Sequence, residues 1–131
     1  MNECKPLAPG FCAFHNPCAL AARGGHLAVL QWARQNRCPW NAMTCANAAR
    51  GGHLQVLQWA REHYCPWDAV MCGYAAEGGH LEVLKWAQEH ECPWNTMTCF
   101  GAAQGGHLAA LKWARGRGLH SSTFQLNLSH F

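Results

Sequence analysis

The sequence predicts an all-α protein built as a stack of short helix pairs, and three observations carry that reading. Gly-Gly-His-Leu stands at Gly24, Gly51, Gly78 and Gly105, each start 27 residues after the one before. The same step relates Trp32, Trp59, Trp86 and Trp113, the cysteines Cys18, Cys45, Cys72 and Cys99, and the Cys-Pro-Trp triplets beginning at Cys38, Cys65 and Cys92. The apolar residues that follow each Gly-Gly pair also keep helical spacing. A fixed period between 20 and 50 residues marks a stacked array in which no unit buries its own apolar face. The units are 11–37, 38–64, 65–91 and 92–118, with an N-terminal arm at 1–10 and a C-terminal tail at 119–131.

The second unit shows how each element arises. Cys38-Pro39-Trp40 is a turn-like entry, and Asn41 is placed to cap a first helix from Ala42 to about Arg50; Asp68 and Asn95 hold the matching places. Gly51 and Gly52 then stop that helix, because glycine supplies the left-handed geometry of a C-terminal cap. A second helix starts near His53 and runs to about His63. Projected at 100° per residue, Val56, Leu57, Leu54, Ala60 and Trp59 cover an arc of about 220°. An arc that wide needs neighbours on both sides, as the middle of a helical stack provides. Two helices joined by two residues form an antiparallel hairpin.

The second-helix tryptophans are expected to dominate the core. Each can remove roughly 150 to 250 Å² from water, about 4 to 6 kcal/mol as an upper value. On that basis Trp59→Ala should cost about 3 to 5 kcal/mol.

Composition narrows the function classes. The chain has 131 residues, half of them apolar, enough for one modest domain. A net charge of +3 from 10 Lys plus Arg and 7 Asp plus Glu points to no particular partner. No signal peptide is read at Met1-Asn2-Glu3-Cys4-Lys5-Pro6, and polar residues interrupt every apolar run long before it could cross a bilayer. An odd count of nine cysteines without a targeting segment argues for reduced thiols inside the cell, cytoplasmic in preference to nuclear.

Chemistry-bearing residues recur with the frame. Cys38, Cys45 and His53 repeat as Cys-x6-Cys-x7-His in three successive units, and thiolate with imidazole is what zinc selects. A zinc-binding Cys/His repeat is therefore the alternative reading. Its spacing lacks the Cys-x-x-Cys pair through which short zinc loops present two ligands, which favours small buried thiols and no resident metal. A Cys-His nucleophile repeated in every unit is not how a single active site is built, and no phosphate-cradling glycine loop is present. No enzyme, cofactor or small-molecule substrate is expected. Basic residues from Arg23 to Arg117 recur on helix ends, but Glu62, Glu77, Glu82, Glu89 and Glu91 interrupt them, so no nucleic-acid partner is expected either.

Ala48-Ala49-Arg50-Gly51-Gly52-His53-Leu54-Gln55-Val56-Leu57 resembles the centre of an ankyrin repeat, Ala-Ala-x-x-Gly-His-x-x-Val-Val. The resemblance recurs in all four units, over roughly residues 16–118. In the first unit Asn16-Pro17-Cys18-Ala19 falls where that family has Thr-Pro-Leu-His, and proline suits a first helical position. The family period is about 33, so some six residues are missing, at the place of the projecting β-hairpin. The resemblance thus implies an ankyrin-like helical-repeat solenoid with short Pro-Trp loops in place of β-hairpins. Met43-Thr44-Cys45-Ala46, Val70-Met71-Cys72-Gly73 and Met97-Thr98-Cys99-Phe100 replace Thr-Pro-Leu-His in the later units, which removes the hydroxyl-imidazole link. Cohesion between units is then expected from packing.

The family fold implies a noncatalytic interaction module whose first helices face a protein partner on the concave side. Comparing the units with one another, the first-helix positions that vary give Asn47, Arg50, Tyr74, Glu77, Phe100 and Gln104 as candidate partner-binding residues. At the ends, Phe11-Cys12-Ala13 reads as a degenerate cap. Residues 119–131 carry a weak strand-like alternation of Phe124, Leu126 and Leu128.

Overall fold

The computed structural model describes residues 16–117. Eight helices follow in pairs: α1 Pro17–Gly24 and α2 Leu27–Gln35, α3 Ala42–Arg50 and α4 Leu54–Glu62, α5 Ala69–Glu77 and α6 Leu81–Glu89, α7 Thr96–Gln104 and α8 Leu108–Gly116. Among the described residues there is no strand. The arm, the start of the first unit before Asn16 and the tail lie outside the described residues. Each first helix packs on its own second helix and most extensively on the first helix of the next unit.

The helix starts follow from their caps. The Asn41, Asp68 and Asn95 side chains accept from the backbone N–H groups of Met43, Val70 and Met97 at 2.9, 3.1 and 2.8 Å. The Thr44 hydroxyl accepts from the Asn41 N–H in return, closing a capping box. Pro17 holds the first position of α1, where its missing N–H costs nothing.

The two glycines between helices have different reasons to be glycine. Gly52 and Gly79 adopt φ of 75°, and a Cβ on either would lie 2.5 Å from the histidine ring of the next unit, His80 or His107. Gly51 has ordinary backbone, but a Cβ there would stand 2.5 Å from its own unit's His53 ring and 3.0 Å from the Arg23 carbonyl oxygen. The histidines explain both demands. His53 Nε2 donates to the Arg23 carbonyl and His80 Nε2 to the Arg50 carbonyl, each at 3.0 Å. A carbonyl only accepts, so Nε2 carries the proton in these rings. Cohesion between units is therefore not packing alone: an imidazole stitches each such unit to the first helix before it.

The second helices end without glycine. Arg37, Tyr64 and Glu91 take φ of 63°, 69° and 62°, and the next N–H reaches back in a Schellman closure, as Cys65 N to Ala60 O at 2.9 Å.

The core corrects one expectation. It consists of small residues, the alanines and cysteines of the first helices with Leu30, Leu57, Leu84 and Met71, all fully buried. Small side chains bring successive first helices close: a Cβ on Gly101 would lie 2.5 Å from the Gly73 carbonyl. The tryptophans flank this core half-buried. Trp59 meets Trp40 edge-on at 5.7 Å and carries His63 stacked at 4.2 Å. With roughly half its area covered, Trp59→Ala is expected to cost about 2 to 3 kcal/mol, measured by urea unfolding. A loss above about 4 kcal/mol would contradict this placement.

Candidate interaction surface and buried thiols

On a first helix, positions four and seven residues apart share one face. Met43, Asn47 and Arg50 share it on α3, Val70, Tyr74 and Glu77 on α5, and Met97, Gly101 and Gln104 on α7. The opposite sides, such as Cys45, Ala46, Ala48 and Ala49, are buried. Five of the six nominated residues lie on this ridge. Arg50 joins two units across it: its guanidinium sits 5.0 Å from the Tyr74 ring centroid and 3.8 Å from Glu77 Oε2. The ion pair is part-exposed and stabilises by at most about 1 kcal/mol, so its effect is to hold Arg50 over Tyr74.

Phe100 is not brought to the ridge. It occupies the register of Ala19, Ala46 and Gly73, which are buried; a Cβ on Gly73 would meet Met97 of the following first helix at 3.4 Å. Phe100 is 47% exposed because no further first helix covers that flank of α7 among the described residues. Sequence comparison missed the apolar row of the ridge. Leu20, Met43, Val70 and Met97 are all exposed, although they recur in register as core residues would. Their seven-residue spacing from Arg23, Arg50, Glu77 and Gln104 was the signal that could have placed them outward.

On the tryptophan side, Trp40, Trp59, Arg34 and His63 line a groove of 590 Å³, and Trp67, Trp86, Arg61 and His90 line one of 480 Å³. The ring faces there are largely occupied from within. Arg34 lies 4.3 Å over Trp40 while its Nη1 donates to the Cys38 carbonyl at 2.6 Å, and Arg61 repeats both contacts on Trp67 and Cys65. Such rings are poor platforms for stacked bases.

The Cys-x6-Cys-x7-His residues are not gathered into a metal site. The Cys45 thiol is hydrogen-bonded to Cys65, while His53 is engaged with the Arg23 carbonyl. Among the described residues no three of His, Cys, Asp and Glu converge on a point where an ion could sit. The hydrogen bond to Cys45 and burial push the Cys65 thiol up, and the hydrogen bond to Cys72 and burial do the same to Cys92. Burial also raises Cys18 and Cys99. Protonated, enclosed thiols lack what nucleophilic catalysis needs. Cys18, Cys45, Cys65, Cys72, Cys92 and Cys99 are free. Cys38 is disulfide-bonded, which departs from the expectation of reduced thiols throughout.

No known protein family and no curated protein sequence matches the chain. Among the described residues no helix is long and apolar enough to cross a membrane.

Proposed function

We propose that the chain is a noncatalytic, ankyrin-like repeat module that holds a protein partner against the ridge of its first helices. One observation carries the reading. A row of exposed apolar side chains, Leu20, Met43, Val70 and Met97, runs beside positions that differ from unit to unit, Asn47, Arg50, Tyr74, Glu77 and Gln104. The residues that repeat, the glycines, histidines and buried alanines, are already engaged in folding. Apolar anchors beside aromatic and arginine side chains are the composition that protein interfaces favour. Half-buried Tyr74, with Arg50 laid over its ring, is the best candidate for an anchor.

The test is affinity capture from the native cell extract, followed by titration of the captured protein. Replacing Arg50 and Tyr74 together by Ala should weaken binding at least tenfold with helix content unchanged, since loss of one anchor residue costs more than about 1.4 kcal/mol. Phe100→Ala should leave binding intact, because that side chain stands off the ridge. Undiminished binding by the double variant would refute the proposal.

A further inference from the structure

The buried cysteines form pairs that cross the boundaries between units. Cys65 follows Cys45 by 20 residues, and Cys92 follows Cys72 by 20. In each pair one thiol comes from a first helix, α3 or α5, and the other from the entry turn of the next unit. The two thiols of each pair are hydrogen-bonded to one another. Contacts of the neighbouring backbone place them independently. Cys65 Sγ donates to the Asn41 carbonyl at 3.5 Å, and Cys92 Sγ to the Asp68 carbonyl at 3.7 Å, each one helical turn before Cys45 or Cys72. Cys72 Sγ in turn donates to the carbonyl of Pro93, next to Cys92, at 3.7 Å. All four side chains are buried.

Two thiols in contact invite a soft metal ion or a disulfide. A monovalent soft cation held by two thiolates leaves a net negative charge in an apolar interior, and no third ligand is at hand. A disulfide is neutral and apolar, so the same burial favours it. Cys38, which stands in the register of Cys65 and Cys92, is itself disulfide-bonded, so a cysteine at this turn accepts such a bond.

We propose that Cys45–Cys65 and Cys72–Cys92 are dithiol–disulfide pairs that lock consecutive units together when the chain meets a low-molecular-weight disulfide such as oxidised glutathione. One thiolate attacks the small disulfide, forming a mixed disulfide and expelling one glutathione thiolate. The second cysteine then attacks the protein sulfur of that bond, closing the pair and expelling the other. Two electrons pass to the oxidant, and the two protein protons end on the two glutathione thiols. Cys99 is a built-in control: it shares the register of Cys45 and Cys72, but the position 20 residues on is Leu119.

The test starts from the fully reduced, unfolded chain and refolds it in a reduced and oxidised glutathione buffer, so that burial does not limit access. Free thiols are then alkylated, and peptides are mapped without reduction. Cross-linked peptides joining Cys45 to Cys65 and Cys72 to Cys92 are expected, with Cys99 alkylated. Each bond should shift the unfolding equilibrium toward the folded state by roughly a hundredfold relative to the reduced chain. The Cys65→Ala, Cys92→Ala double variant should lose both links; if that variant does not fold, the wild-type map decides by itself. Alkylation of all four cysteines in the refolded protein would overturn the proposal, as would links that mix Cys99 or Cys72 with Cys45. Stoichiometric uptake of Cu(I) or cadmium with no cross-link would overturn it in favour of a metal site.

Discussion

Leu57→Ala is expected to lower stability by about 3 to 5 kcal/mol, read from the urea midpoint at constant slope. Leu57 is fully buried in α4, where it shares the core with Leu30, Leu84 and the first-helix alanines. Its neighbours are backbone-close small residues that cannot rotate into the space left behind, so the cavity persists. Set against a total stability of about 5 to 15 kcal/mol for a domain of ordinary size, one such deletion leaves the stack close to unfolding. A loss under about 1 kcal/mol would show that the second helices are not seated on this core.

Gly79→Ala should be nearly as damaging, and it separates two causes. At φ of 75° an alanine costs about 1 to 2 kcal/mol for its left-handed backbone. Its Cβ would also stand 2.5 Å from the His107 ring, which lies across Gly79 from the following unit. The ring must move away, so the expected total is about 2 to 4 kcal/mol. Gly106→Ala supplies the comparison. That glycine has φ of 76° but no atom within 4 Å of the added carbon, so only the backbone cost remains. Equal losses at the two sites, measured by the same unfolding assay, would mean that the histidine does not bridge units.

The helix ends of the second unit were legible residue by residue. Asn41 and the Gly51-Gly52 pair are local signals, and they bound α3 at Ala42 and Arg50 as read. Local signals also placed Pro17 at the start of α1. Three features needed the third dimension. The end of α4 at Tyr64 carries no glycine, because the left-handed residue there is held by the Schellman closure and not by its own propensity. The tryptophans recur as faithfully as any core residue, yet they lie half-buried, since periodic recurrence reports a repeated environment without saying how deep it is. The histidine stitch joins residues 30 positions apart, a separation at which no spacing rule operates.

The candidate surface was legible to a similar degree. Variation between units picked out Asn47, Arg50, Tyr74, Glu77 and Gln104, which share a face because their helical phase is the same. Phe100 varies for another reason: its register is buried against the next first helix elsewhere, and here that flank is open. Variation alone does not separate a contact position from the end of a stack. The exposed Met43, Val70 and Met97 went unread because near-constant apolar character looks like core in one dimension.

The account rests on neighbouring units sharing their small-residue faces, and nuclear Overhauser contacts test that most directly. Cross-peaks from the Met97 side chain to the Gly73 Hα protons, and from the His80 ring to the Gly52 Hα protons, are the predicted result, since each pair spans a unit boundary at contact distance. A spectrum of folded protein in which these methionine and histidine protons contact only residues of their own unit would contradict the stack.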